Sequence, residues 1–114
     1  MNITKQSVLN ALRKHIGQSK GVRAATLAAE ITGNWWERNA AEERQLRHTI
    51  LELRNEGHHI CGSPATGYFI AETEKELNET CEFLYHRAMT SLEQISKMKN
   101  TSLPDLRGQL RLPT

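Results

Sequence analysis

The sequence predicts a mainly α-helical domain that closes with one small β-hairpin and continues into a long helix. Three observations carry this. Apolar residues recur at helical spacing in three stretches before residue 56. A Ser63-Pro64-Ala65-Thr66-Gly67 turn separates two short runs that alternate at a period of two. Residues 74–99 contain neither proline nor glycine. The stretch from Asn39 to Ala71, a helix feeding a hairpin, organises the rest. A chain of 114 residues is expected to hold one domain with a helical appendage. The expected division is a domain over 1–71, a long helix over 72–100, and a tail over 101–114.

The first helix is expected over roughly residues 5–16. Thr4 is a good N-cap, and Ile3 and Val8 occupy the positions of a hydrophobic staple. Val8, Leu9, Leu12 and Ile16 form its apolar stripe, and Gly17 suits the position just past its end. A loop follows, and Val22 anchors a very short extended segment. Ala24 to Ile31 reads as a second, short helix burying Leu27, Ala28 and Ile31, stopped by Gly33 and Asn34. Its small residues permit close helix packing, though alanine-rich turns fill many bundles.

The connection 33–39 is longer than the turn of a tight helix-turn-helix. Trp35 and Trp36 are adjacent, so they cannot both point inward from regular structure. One is expected to plug the core. The other either covers the core half-exposed or contacts a sugar, a phosphate or a protein partner.

Asn39-Ala40-Ala41-Glu42 has the pattern of a capping box, so the third helix starts there, with Glu42 expected to reach back to the Asn39 amide. At 100° per residue Leu46, Ile50 and Leu53 face the core. The opposite face carries Ala41, Arg44, His48, Leu51 and Asn55, flanked by Arg47 and Arg54, and reads as free of carboxylates. Glu43 has no evident role beyond the helix dipole. His58 to Cys61 and Tyr68 to Ala71 are the expected hairpin strands, with Ile60 and one of Phe69 or Ile70 facing inward. The hairpin loop holds no Lys or Arg.

Thr73-Glu74-Lys75-Glu76 is another capping box, opening a helix of about 26 residues, about 39 Å long. Leu77, Cys81, Leu84, Ala88, Ser91, Ile95 and Met98 follow in alternating steps of four and three, an imperfect heptad seam. Tyr85, Met89 and Leu92 add a stripe beside it. Leu77, Leu84, Tyr85, Ala88, Leu92 and Ile95 are therefore the expected contacts of a homodimer; the alternative is that the helix folds back over the first one. The tail is either an unstructured end or a docking peptide with Leu103, Leu106, Leu110 and Leu112 as anchors.

Net charge is +2 but uneven. Residues 1–60 carry nine Lys/Arg against six Glu, and residues 61–114 six against seven acids. This permits nucleic-acid binding on one face without requiring it. A mean hydropathy of −0.59 excludes a membrane protein of the helical kind. The first residues show no basic segment leading into an apolar one, so no secretory signal is expected. Cys61 and Cys81 make no disulfide framework and read as reduced thiols in a cytoplasmic protein.

Catalytic chemistry finds little support. His58 and His59 project to opposite faces of a strand, Cys81 lies on the next helix, and no C-x-x-C pair exists, so no metal site is expected. No phosphate-binding glycine loop is present, and Cys61 in a hairpin has no activating neighbour. The chain is read as a non-enzyme without cofactors.

The order helix, short segment, AATLAAEIT helix, AAEERQLRHTILELRNEG helix and HHICGSPATGYFIA hairpin resembles winged helix-turn-helix DNA-binding domains. The run LELRNEGHHICGSPATGYFI is especially similar to the end of their recognition helix and their wing. The small size and the long helix after the wing look like proteins of phages and prophages. The resemblance covers residues 3–71 well and 72–99 loosely. It implies double-stranded DNA as partner, with the third helix in the major groove: Arg44, Arg47 and His48 would contact base edges or nearby phosphates. Lys20, Arg23 and Arg38 would hold phosphates, and Thr66 and Tyr68 would make wing contacts. The wing departs from the family pattern in lacking basic residues, which argues against a strong minor-groove contact. The implied roles are gene control or replication. Two rivals use the same residues: a protein-interaction module presenting Trp35, Trp36 and the long helix, and a small phage factor that inhibits or adapts a host machine.

Overall fold

The computed structural model describes residues 2–100 and residue 102. Its first helix, α1 (Lys5–Leu12), opens as expected: the Thr4 hydroxyl accepts from the Ser7 amide at 3.1 Å while the Ser7 hydroxyl accepts from the Thr4 amide at 2.8 Å. Ile3 and Val8 are both buried beside this cap. The helix ends four residues earlier than the apolar spacing predicts. Beyond it, His15 and Gly17 pair with the backbone of Ile70: the Ile70 amide donates to the His15 carbonyl at 2.8 Å and the Gly17 amide to the Ile70 carbonyl at 2.9 Å. Ile16 thereby leaves the helical stripe and is exposed. A short 3-10 turn (Gln18–Lys20) follows.

Val22 is the expected extended segment, and it pairs in both directions with Tyr68, at 2.8 and 2.6 Å. Helix α2 (Ala24–Thr32) runs one residue further than predicted and ends where the Gly33 amide donates to the Ala29 carbonyl. Helix α3 (Ala40–Asn55) begins at the predicted cap, with Asn39 Oδ1 accepting from the Glu42 amide at 3.1 Å. The return contact is absent: the Glu42 carboxylate does not bond the Asn39 amide. Strands β1 (Ile60–Ser63) and β2 (Gly67–Ile70) form an antiparallel hairpin with Cys61 opposite Phe69 and Ser63 opposite Gly67. Of the inward candidates on β2, Phe69 is buried and Ile70 half-buried.

The core is the space between α1, α2 and α3, filled by Val8, Leu12, Leu27, Ile31, Leu46, Ile50 and Leu53, with Ile60 closing it from the hairpin. Burying each such side chain contributes about 1.5–3 kcal/mol. The hairpin is fastened at two places. Arg54 Nε donates to the Ile60 carbonyl at 2.7 Å, tying the end of α3 to β1. At the other end, Gly21 lies so close to the Thr66 carbonyl that a Cβ would collide with it, and a Cβ on Gly67, whose φ is +75°, would stand 2.6 Å from the Val22 carbonyl carbon. Only glycine permits both approaches.

Helix α4 (Glu74–Lys99) starts from Thr73, whose hydroxyl accepts from the Glu76 amide at 3.2 Å. The Glu76 carboxylate accepts from the Gln18 amide at 2.9 Å and the Glu72 amide at 2.8 Å. The Gln18 and Glu72 amides hold its carboxyl below the usual carboxylate range, against the opposing effect of burial. Cys61 is buried, and its thiol donates to the Glu76 carbonyl at 3.7 Å. Residues up to Thr80 form one compact unit and those from Cys81 a second, a division that falls within α4. In the second unit Leu84, Tyr85, Ala88 and Met98 are exposed, whereas Met89, Leu92 and Ile95 are half-buried. Leu77, in the first unit, is half-buried. Among the described residues no helix is long and apolar enough to cross a membrane. The docking leucines suggested for the tail, Leu103, Leu106, Leu110 and Leu112, lie outside the described residues.

Candidate nucleic-acid interface

The core fixes the orientation of α3 and with it the side that faces outward. With Leu46, Ile50 and Leu53 buried, Ala41, Arg44, His48, Leu51 and Asn55 stand exposed, as helical geometry requires. Arg44 forms no ion pair or side-chain hydrogen bond among the described residues. Arg47 is half-exposed and lies 3.7 Å from Glu43. His48 Nε2 lies 3.4 Å from Glu52, one turn on, so this face is not free of carboxylates. The i,i+4 geometry places Glu52 on the flank that His48 leans toward.

Glu43 is the residue that sequence reasoning missed. Its side chain is only 6% exposed and accepts from two guanidinium nitrogens of Arg38, Nε at 3.1 Å and Nη2 at 2.8 Å. The Arg38 guanidinium holds the Glu43 carboxyl below the usual carboxylate range, with Arg47 adding to the effect, and Glu43 in turn raises the Arg38 pKa. Arg38 is thus engaged in a two-pronged pair, while its side chain stays 78% exposed. The i,i+4 spacing of Glu43 to Arg47 was visible in the sequence. The pairing with Arg38 depends on how the 33–39 loop folds back, which was not.

The remaining proposed contacts are distributed unevenly. Lys20 is exposed at the end of the 3-10 turn, and Arg23 sits at the N-terminal cap of α2. Arg23 Nη1 reaches the Pro64 carbonyl at 3.4 Å, which joins the start of α2 to the hairpin turn. Thr66 spends its hydroxyl inside that turn, on Ser63 at 3.0 Å and the Gly67 carbonyl at 3.0 Å. Tyr68 is half-buried with its ring against Gly62. The exposed residues at the hairpin tip are Pro64 and Ala65.

The expectation for the tryptophans is overturned. Neither plugs the core: Trp35 is 60% and Trp36 87% exposed. Ala28, Ile31 and Leu46 fill the core between α2 and α3 without an indole. His15, on the other side, bridges elements: its Nδ1 donates to the Lys20 carbonyl at 2.8 Å and its Nε2 lies 3.0 Å from Glu30. Among the described residues no cluster of three or more His, Cys, Asp or Glu is arranged to hold a metal ion. No family model matches this chain, and no curated protein or solved structure matches it either.

Proposed function

We propose that this chain is a winged helix-turn-helix protein that binds double-stranded DNA in a sequence-dependent way, serving gene control or replication in a phage, a prophage or a bacterium, in the cytoplasm of the cell. The observation that carries this reading is the outward face of α3. It presents an uncommitted guanidinium at Arg44 with Arg47 and His48 beside it, on a helix whose inner side is locked by Leu46, Ile50 and Leu53. The order of elements supports it further: helix, extended segment, two helices and a hairpin onto which the extended segment pairs through Val22 and Tyr68. In this reading α3 enters the major groove, Arg44 reads a guanine edge, and Lys20 and Arg23 take phosphates. The hairpin contributes position rather than charge. The chain acts as a homodimer joined through α4, a role supported by exposed Leu84 and Tyr85 on a 26-residue helix.

A gel shift against duplex DNA from the region upstream of the gene, run at two salt concentrations beside a random duplex, tests this. Binding that prefers one sequence and weakens steeply with salt is expected. No binding at low salt would refute it.

The exposed Trp35 and Trp36 favour a second reading, in which the 33–39 loop is a protein-contact surface and the domain an interaction module. Tryptophan and arginine are enriched where proteins anchor to one another.

A further inference from the structure

The 33–39 loop and the first turn of α3 enclose a cavity of about 180 Å³ against α2, whose walls include Ala25, Ala29, Asn34, Trp35, Glu37 and Glu42. What these walls offer is chemically one-sided. Asn34 Oδ1 is buried and has no hydrogen-bond partner. An amide oxygen removed from water in this way is left wanting a donor. The carboxylates of Glu37 and Glu42 have no partner among the described residues, Glu42 because its return contact to Asn39 is not made. Trp35 contributes an indole that stays 60% exposed. The cavity's one cation, Arg38, is spent on Glu43. An anion is poorly served here, since the N-terminal end of α3 is already met by the Asn39 cap and by two carboxylates in the first turn.

An unsatisfied acceptor, two carboxylates and an aromatic face together fit a flat, donor-rich cation. A guanidinium stacks on indole and donates in several in-plane directions, whereas an ammonium is a compact, strongly hydrated charge. We propose that this cavity receives an arginine side chain of a partner protein. The inference deepens the second reading above and rests on it for the choice of a protein as ligand. The guanidinium lies against Trp35 and is neutralised by Glu37 and Glu42, and Asn34 turns its buried Oδ1 toward the cavity to accept from it.

The chain's only two tryptophans are Trp35 and Trp36, so their indole N–H signals in a ¹H–¹⁵N NMR spectrum report on this loop alone. The full chain is titrated with acetyl-Gly-Arg-Gly-amide, with its citrulline counterpart, with acetyl-Gly-Leu-Gly-amide and with a short random DNA duplex. The arginine peptide is expected to shift the Trp35 indole saturably, with an affinity about tenfold above that of citrulline, which keeps the shape and loses the charge. Asn34→Ala and Glu42→Gln should each weaken the arginine peptide with the remaining spectrum unchanged. Glu37→Gln, in an exposed bend, supplies the same test should either of those variants unfold. Equal binding of arginine and citrulline, or no shift with either, overturns the proposal. A response to the leucine peptide alone removes the arginine while keeping the loop as a protein surface. Shifts caused only by the duplex remove both.

Discussion

Two surfaces meet at the start of α3, and Glu43 stands between them. Toward the C-terminus the helix presents Arg44, Arg47 and His48 to solvent. Toward the N-terminus the connecting loop presents Trp35, Trp36 and Glu37, with Glu42 beside them. Counted from the sequence, the region from Arg38 to Arg47 holds three arginines. In the folded chain the buried Glu43 takes Arg38 through two hydrogen bonds and draws on Arg47 at 3.7 Å, which leaves Arg44 as the uncommitted one. A basic face is therefore defined by the charges that remain after internal pairing, and those are fewer than the residue count. The difference also separates the ligands: an anionic backbone suits the outer face of α3, and a cation suits the loop.

Loosening the core beneath both surfaces is expected to have the largest effect. Leu46→Ala, at a fully buried position, is expected to destabilise the chain by about 2–5 kcal/mol in urea unfolding and to weaken DNA and peptide binding together. Loss of one activity with the other intact would show that the two surfaces do not share that support. A selective break comes next. Arg44→Ala should cost roughly 1–3 kcal/mol in binding a preferred duplex, measured by fluorescence anisotropy, while leaving the unfolding midpoint in place. If a random duplex loses as much, Arg44 contacts phosphate and the reading of bases lies elsewhere. Replacing both Leu84 and Ile95 by Glu would place charge on the proposed α4 seam, and analytical ultracentrifugation should then find monomer where the parent chain gives dimer. A parent chain that sediments as monomer would remove α4 from the interface.

The smallest effect concerns pH. Glu43 and Glu76 have carboxyl pKa values below their ordinary 4.5, so both favour the folded state when ionised. Their contribution is complete above that ordinary value and is lost as pH falls below it through the lowered folded-state values. Urea midpoints should therefore drop as the solution is acidified below about pH 5, and Glu43→Gln should flatten the slope while lowering stability at neutral pH. An unchanged slope in Glu43→Gln would mean that the Arg38 pair adds nothing to folding.

Much of the fold was legible because its signals are local. The Thr4 and Asn39 caps, the Val8–Leu12 and Leu46–Ile50–Leu53 stripes and the Pro64–Gly67 turn each lie within a few residues of the structure they specify. The misplaced end of α1 comes from pairing between distant segments. Helix α1 stops at Leu12 because the chain near His15 and Gly17 is needed by Ile70, more than fifty residues on. Trp35 and Trp36 stay outside the core, which Ala28, Ile31 and Leu46 fill without them. Of the candidate site, the exposure of Arg44, Arg47 and His48 follows from helical periodicity. The engagement of Arg38, Thr66 and Tyr68 does not, since it depends on where loop and hairpin fold back.

DNA binding through α3 is tested by an NMR titration of the ¹⁵N-labelled chain with a short DNA duplex at low salt, reading backbone amides and the two indoles in one experiment. The largest shifts are expected at Arg44, Arg47, His48 and Leu51, smaller ones at Lys20 and Arg23, with indoles that stay in place. Shifts confined to Trp35 and Trp36, or none at any residue, would contradict it.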